Sequence, residues 1–302
     1  MKIKIASRSS PLAILQTNEV IEKIQSCNPK CVFEIIKIES DGDLTDEPLH
    51  LIGGKGLFVS KLETALSNGM ADIAVHSLKD VPALLDSQFS IAATLPREEV
   101  VDAILFKEDL TLESLSKNIK IATSGPRRKS QLLAINPNLN IVPIRGNIHT
   151  RIDKMKNDGL DALIVAKAAL NRLKISYPNL YIFTEERMLP AAAQGAIGIE
   201  INANVRPEIT HLLKSINDKR THEATEIERS VVASLEGSCL SPISALCKID
   251  GQNAELKVRV SSQDGSEVCN EMIKFKLENK INSLKDITEQ LIKNGAKEII
   301  QR

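Results

Sequence analysis

The chain has 302 residues, with 39 Lys plus Arg and 39 Asp plus Glu, so its formal net charge is zero. This balance argues against general nucleic-acid binding and against a charged, disordered tail. Aromatic residues make up only 3% of the chain and Trp is absent, which argues against an aromatic stacking platform for single strands. The hydrophobic fraction of 42% is typical of globular proteins, and the length predicts two or three domains.

The hydrophobic pattern and the cysteines indicate a cytoplasmic protein without a membrane partner. No apolar run reaches the ~20 residues that a membrane span needs, and Met1 to Ala6 alternate polar and apolar residues without a signal-peptide core. Five cysteines form an odd set with no C-x-x-C pair and no His at ligand spacing. We therefore expect reduced thiols and no metal site.

The first two thirds of the chain alternate strand and helix patterns. The pattern predicts a strand at residues 3–6, a helix at 11–24, a strand at 32–38, a helix at 58–66 and a strand at 72–75. This alternation predicts an α/β fold with a mainly parallel sheet covered by helices.

The same pattern recurs further along the chain. Three segments repeat in the same order, namely residues 3–11 and 119–126, residues 34–38 and 140–144, and residues 69–75 and 159–165. The repeat predicts two α/β domains of one topology, with chance similarity of short strand–turn–helix units as the alternative. Tight hinges are expected near Pro96 and Pro190.

The last third has a different pattern. Residues 221–235 predict a helix, and strand-like runs follow at 243–249, 254–261 and 267–277. Asp250-Gly251 and Asp264-Gly265 separate these runs as turns. With a closing amphipathic helix at 283–300, this part predicts a small α+β domain with a three-stranded antiparallel sheet.

Two predicted helix starts have features that suit an anion. Ser10 can cap one helix beside Arg8, and Gly125-Pro126 open another beside Arg127 and Arg128. The unpaired N–H groups of a helix start, with arginine alongside, favour a carboxylate or a phosphate. For either turn alone, a well-capped helix with solvated arginines is the alternative.

Five of the 13 arginines fall within residues 127–172, namely Arg127, Arg128, Arg145, Arg151 and Arg172. Arg145 and Arg151 flank Gly146-Asn147 at the end of a strand, where open α/β sheets bind ligands. The planar guanidinium pairs bidentately with carboxylates. The cluster predicts a ligand with several carboxylates, and a solvated basic face is the alternative.

Three further segments could carry chemistry. Gly53–Phe58 is Gly-rich but lacks Walker spacing, so a lid or an anion-contacting loop is favoured over a nucleotide site. Asp80, beside Lys79, is either an ion-pair partner or the group that handles positive charge on a substrate. Cys239 lies in a small-residue turn that could expose a thiol, although no histidine spacing is diagnostic of a thiol-dependent hydrolase.

Taken together, these motifs resemble those of the porphobilinogen deaminase (hydroxymethylbilane synthase) family over nearly the whole chain. The matching segments are residues 6–13, 53–58, 74–82, 127–128, 145–147, 150–151, 193–196 and 235–237, with Cys239. Each is weak alone, but their order and spacing are specific. Two positions depart from the family: Gly125 stands where a serine is usual, and Gly237-Ser238-Cys239-Leu240 stands where Gly-Gly-Cys-Gln is common.

The resemblance implies three domains in a monomer. Domain 1 would comprise residues 1–96 and 194–216, domain 2 residues 97–193, and domain 3 residues 217–302. The first two would resemble periplasmic-binding-protein lobes, and the third would carry the cofactor-attachment cysteine.

The resemblance also implies a transferase of haem biosynthesis. It would join four porphobilinogen molecules head to tail, with loss of ammonia, into the linear tetrapyrrole hydroxymethylbilane. Cys239 would hold a dipyrromethane cofactor through a thioether, and this primer would remain after hydrolysis releases the product. Asp80 would hold pyrrole N–H groups and stabilise developing positive charge while managing protons.

The other site residues would contact the carboxylates of the pyrrole rings. The cofactor would be bound by Ser10, Lys79, Asp80, Arg127, Arg128, Arg145 and Gly146. The substrate would be bound by Arg8, Ser10, Arg145, Arg151, Arg172 and Gln194, with Lys55 and Phe58 in the loop. A noncatalytic two-lobed binding module would not explain Cys239 and Asp80 together, and a hydrolase would need a general base beside Cys239.

Overall fold

A computed structural model describes residues 1–39, 59–112, 115–116 and 118–302. The strands are β1 (Lys2–Arg8), β2 (Val32–Ile38), β3 (Ile73–Ser77), β4 (Phe89–Thr94), β5 (Asp102–Phe106), β6 (Lys120–Ala122), β7 (Asn140–Val142), β8 (Ala162–Ala166), β9 (Leu180–Ile182), β10 (Ile197–Asn202), β11 (Ile243–Asp250), β12 (Asn253–Ser261) and β13 (Val268–Lys276). The α-helices are α1 (Pro11–Cys27), α2 (Ser60–Ser67), α3 (Pro126–Ile135), α4 (Ile148–Asn157), α5 (Lys167–Arg172), α6 (Pro207–Ile216), α7 (Lys219–Ser234), α8 (Lys280–Lys293) and α9 (Ala296–Gln301). Within these described ranges, no helix combines the length and the apolar character that a bilayer crossing requires.

The described residues form two compact units. The first contains residues 1–39, 59–98 and 195–223, and the second contains the described part of 99–194 together with 224–302. The division into three domains, with its boundaries, stays a prediction.

The first unit is built on a five-stranded sheet in the order β2-β1-β3-β10-β4. β1 pairs in parallel with β2 and β3, whereas β10 is antiparallel to β3 and β4. Successive residues of β1 point to opposite faces, so Ile3 and Ile5 pack into one apolar cluster and Ala6 into another. The sheet is therefore buried on both faces, as in other α/β folds.

The second unit repeats this plan in a sheet of order β7-β6-β8-β5-β9. β6 pairs in parallel with β7 and β8, and β5 is antiparallel to β8 and β9. In each sheet four strands therefore run in one direction, and the fourth strand in the order is reversed. The predicted α/β class, the duplicated topology and the mainly parallel sheets are confirmed.

The predicted small antiparallel sheet is also confirmed, as β11-β12-β13. Gly251 and Gly265 form its turns with φ of +57° and +73°. The single closing helix predicted at 283–300 is wrong, because the chain forms two helices, α8 and α9. Gly295 lies between them with φ of +81°, a backbone conformation that ends a helix.

Candidate active site

The first unit brings Arg8 and Asp80 together at one edge of its sheet. β1 ends at Arg8, and β3 is followed by a single 3-10 turn, Leu78–Asp80, in which Lys79 is half-buried. Because β1 and β3 are parallel neighbours, their carboxyl ends lie at the same edge. Arg8 Nη1 lies 4.0 Å from Asp80 Oδ2, and the two side chains are 22% and 34% exposed. At this distance the two form a partly solvated ion pair rather than a hydrogen bond.

Ser10 caps α1 as the sequence predicts. Its Oγ accepts a hydrogen bond from Ala13 N at 3.3 Å, and Pro11 occupies the first helical position. The buried Thr17 hydroxyl donates to Ser7 Oγ at 2.8 Å and ties α1 to β1. Ligand binding by Ser10 stays a prediction.

Buried polar contacts hold the strand that leads to Asp80. Ser77 Oγ donates to Gln16 Oε1 at 2.9 Å, which joins the end of β3 to α1. His76 Nε2 lies 2.9 Å from Glu200 Oε2, and both side chains are buried. These contacts fix β3 against its neighbours, so the turn that follows it has a defined position.

In the second unit, a buried carboxylate gathers three of the predicted site residues. Asp102 is the first residue of β5 and is fully buried. Its Oδ2 accepts from Arg127 Nη2 at 2.7 Å. Its Oδ1 accepts from Arg128 Nε at 3.1 Å, from Arg128 Nη2 at 2.8 Å and from Gln194 Nε2 at 3.0 Å. Sequence reasoning missed Asp102, whose one signal is a lone charge at the start of an apolar run.

The side chains of the two neighbouring arginines are similarly buried, 9% exposed for Arg127 and 11% for Arg128, but their partners differ. Arg127 is buried and also donates from Nη1 to Leu189 O at 2.8 Å. Burial lowers the pKa of Arg127, while Asp102 acts in the opposite direction. Arg128 uses Nε and Nη2 on Asp102, and Nη1 on Ile164 O at 3.3 Å. Three of its five N–H donors are used within the described chain, so one on Nη1 and one on Nη2 remain.

Gln194 is buried in the same cluster. Besides Asp102, its Nε2 donates to Val100 O at 2.7 Å. Ala193 has φ of +60°, and its N–H donates to Oε2 of the fully buried Glu228 at 2.6 Å. Glu228 was also missed from the sequence. The predicted contact between Gln194 and substrate stays a prediction.

Arg145 and Arg151 lie on the loop and helix that follow β7. Gly146 has φ of +109°, and a Cβ there would lie 2.8 Å from Thr150 Cγ2, so this turn requires glycine. Arg151 Nε donates to Gly146 O at 2.6 Å. Because β7 and β6 are parallel neighbours, this loop and the start of α3 lie at the same edge of the sheet.

The remaining predicted positions are Arg172, Lys55 and Phe58. Arg172 is the half-buried last residue of α5, the helix that follows β8. Lys55 and Phe58, with the rest of Gly53–Phe58, lie outside the described residues.

Cys239 lies in an exposed, tight turn between α7 and β11. Ser238 O accepts from Ser241 N at 3.0 Å, and Ser238 N donates to Ser241 Oγ at 3.0 Å. The chain leaves α7 through Glu236 with φ of +57°, and Gly237 N bonds back to the last turn of the helix at 2.9 Å. This defined helix end and the closed turn present the thiol at the surface.

Comparison with known proteins gives matches over almost the whole chain. The family model described as porphobilinogen deaminase, dipyromethane cofactor binding domain, matches residues 3–209, and that of the porphobilinogen deaminase C-terminal domain matches residues 223–298. A porphobilinogen deaminase from Nitratiruptor sp. is 39% identical, covering 100% of this chain and 97% of the relative. One from Neisseria meningitidis serogroup B is 38% identical, covering 99% and 96%. A solved structure of a probable amino-acid ABC transporter extracellular-binding protein from Bacillus subtilis is a distant likeness, with 14% identity, a TM-score of 0.41, and coverage of 76% and 96%.

Proposed function

Because this chain belongs to the porphobilinogen deaminase family, we propose that Cys239 anchors its dipyrromethane cofactor. We also propose that its arginines bind the carboxylates of the pyrrole rings and that Asp80 stabilises the positive charge that develops during the reaction. The chain is a transferase of haem and tetrapyrrole biosynthesis. It joins four porphobilinogen molecules head to tail, with loss of ammonia, into hydroxymethylbilane. Family membership decides against a noncatalytic binding module and against a thiol-dependent hydrolase.

The Cys239 thiol fits the attachment of a cofactor. Cys27 and Cys239 are exposed, whereas the other three cysteines are buried. Only Cys239 lies in a turn that matches the family pattern. A thioether resists hydrolysis, so an anchor of this kind survives the release of product. When bound, the dipyrromethane supplies the primer on which the product is built.

The arginines of the second unit fit the acetate and propionate groups of the pyrroles. Asp102 balances one of the two positive charges of Arg127 and Arg128, so one charge is left over. The two remaining N–H groups of Arg128 are on adjacent nitrogens, an arrangement that suits a bidentate carboxylate. Arg145 and Arg151 add two guanidinium groups at the end of β7, and Arg172 on α5 is a further candidate.

In the first unit, Asp80 is the candidate for stabilising positive charge. Loss of ammonia leaves positive charge on the pyrrole ring of the substrate, and a carboxylate that accepts the pyrrole N–H stabilises it. The Asp80 side chain is 34% exposed and lies beyond hydrogen-bond distance from Arg8 Nη1, so an N–H donor can reach it. Arg8, Ser10 and Lys79 are proposed to bind carboxylates at this sheet edge.

The two departures from the family pattern are accommodated locally. A Cβ at Gly125 would lie 3.9 Å from both Arg128 Cδ and Thr123 Oγ1, so the usual serine would fit and its absence removes only a hydroxyl. Ser238 closes its own turn, since its Oγ accepts from Leu240 N at 3.1 Å. With Ser238 in this turn, Cys239 is exposed.

The proposal also includes a monomer that acts in the cytoplasm on porphobilinogen alone. A chain with zero net charge has no overall electrostatic attraction to nucleic acid.

The exposed Cys239 in the matched turn is the observation that carries the proposal, and intact-protein mass spectrometry tests it. The wild-type protein should be heavier than its translated sequence by one dipyrromethane and should give colour with Ehrlich's reagent. Cys239→Ala should lose both signals, whereas Cys27→Ala, which removes the other exposed thiol, should keep them. An unmodified wild-type mass in an active preparation would contradict the proposal.

A further inference from the structure

Asp102 is a buried acid that none of the sequence motifs contains. Four N–H donors reach its two carboxylate oxygens within 3.1 Å, from Arg127, Arg128 and Gln194. Three of these donors reach Oδ1 and one reaches Oδ2, so the charge of the buried carboxylate is well compensated. A buried charge is tolerated when it is paired and hydrogen-bonded in this way.

The contact between Asp102 and Arg128 controls orientation as well as charge. Both Nε and Nη2 of Arg128 bind the same oxygen, Oδ1, which holds one edge of the planar guanidinium. Gln194 Nε2 binds that oxygen as well. Holding this edge leaves the unused N–H groups of Nη1 and Nη2 in a fixed direction.

We propose that Asp102 is a positioning residue for carboxylate binding, because it holds the Arg128 guanidinium with two N–H groups aligned for one carboxylate of a pyrrole ring. The inference rests on the proposed function, which makes Arg128 a carboxylate ligand. Preorganised donors bind more tightly than a mobile cation, since less side-chain freedom is lost on binding. Misplacement by about 1 Å is enough to cost a large factor in rate.

The test compares Asp102→Asn with the control Asp72→Asn in the full-length protein. Asp72 pairs with Arg206 at 3.1 Å in the first unit, so its replacement also removes an Asp–Arg pair, but away from the predicted site residues. Three quantities are measured for each protein: the fraction that carries the cofactor by intact mass, KM and kcat for porphobilinogen, and the urea midpoint. Asp102→Asn should raise KM about tenfold or more and slow cofactor loading, whereas Asp72→Asn should change neither.

Two further variants separate positioning from folding. In an Arg128→Ala background, Asp102→Asn should raise KM by a much smaller factor than in the wild type, because only its contacts with Arg127 and Gln194 are then lost. Arg128→Lys keeps a cation beside Asp102 but lacks the two-donor edge, so its KM should rise about as much as that of Arg128→Ala. This variant keeps the inference testable if Asp102→Asn does not fold.

Several results would overturn the inference. They are an unchanged or lower KM in folded Asp102→Asn, additive effects in the double variant, and a KM near the wild-type value in Arg128→Lys. Failure of the proposed function would look different, because the wild-type protein itself would then lack the cofactor mass and would not consume porphobilinogen.

Discussion

Replacing Gly265 with alanine tests how closely the last hairpin packs on α3. Gly265 lies in the turn between β12 and β13 with φ of +73°. A Cβ there would lie 2.6 Å from Ala134 N and closer still to Ser130 O, both backbone atoms of α3. Either the hairpin or the helix must therefore move. Gly251, in the turn between β11 and β12, is the matched control, because its φ is +57° and no atom lies within 4 Å of its Cβ position.

Two energetic costs apply at Gly265 and only one at Gly251. A left-handed backbone costs a residue with a Cβ about 1–2 kcal/mol, and forcing a methyl group into a packed contact costs about 1–3 kcal/mol. We therefore expect Gly265→Ala to lower the free energy of unfolding by about 2–5 kcal/mol and Gly251→Ala by about 1–2 kcal/mol. The larger value is a substantial part of the about 5–15 kcal/mol that stabilises a typical domain.

Urea unfolding followed by far-ultraviolet circular dichroism measures this difference, since the chain has no Trp for a fluorescence signal. The midpoint for Gly265→Ala should lie clearly below that for Gly251→Ala at the same pH and protein concentration. Equal midpoints for the two variants would refute the close contact between the hairpin and α3.

Two other predictions concern the first unit. Asp80→Asn should lower porphobilinogen consumption by about 10²-fold or more with an unchanged urea midpoint. The control Asp86→Asn changes an exposed acid further along the chain and should keep the wild-type rate. A wild-type rate for Asp80→Asn would show that Asp80 has no catalytic role. The pKa of Glu63 is raised, first by burial and next by Glu200, against an opposing effect of His76. A raised pKa favours the protonated form, so the stability that Glu63 contributes is complete below its unfolded pKa and is lost as pH rises through its folded pKa. Glu63→Gln should therefore match the wild type near about pH 4 and be more resistant to urea near about pH 8. A difference that does not depend on pH would contradict the raised pKa of this half-buried carboxyl.

Local signals were sufficient to predict most of the fold. The start of α1 follows from Ser10 and Pro11, since capping and a fixed φ act within one turn of the chain. The pairing of β10 with β3 joins residues more than a hundred positions apart, and the patterns of the residues alone did not predict it. The break at Gly295 had a local signal, because Asn294-Gly295 is a common helix end, but the amphipathic pattern on both sides concealed it.

The candidate site divides in the same way. The positions of Arg8 and Arg145 at strand ends, and of Arg151 in the helix that follows, were predictable, because the carboxyl ends of parallel strands meet at one edge of a sheet. The roles of the buried acids Asp102 and Glu228 were not predictable from the sequence. Asp102 is a single charge between apolar residues, whereas Glu228 is one of several charged residues of α7, and no spacing in the sequence links either acid to its partners. Their roles depend on contacts that only the folded chain forms.

The charges around Asp102 mean that the direction in which KM changes in Asp102→Asn distinguishes an effect of orientation from an effect of charge. Two arginines and one aspartate leave a single positive charge, which one carboxylate of a ligand would neutralise. If charge alone governed binding, Asp102→Asn would leave a second uncompensated positive charge and bind carboxylates more tightly. If orientation governs it, the same variant releases the held edge of Arg128 and weakens binding. Because the two effects have opposite signs, a higher KM supports positioning even though the site has become more positive.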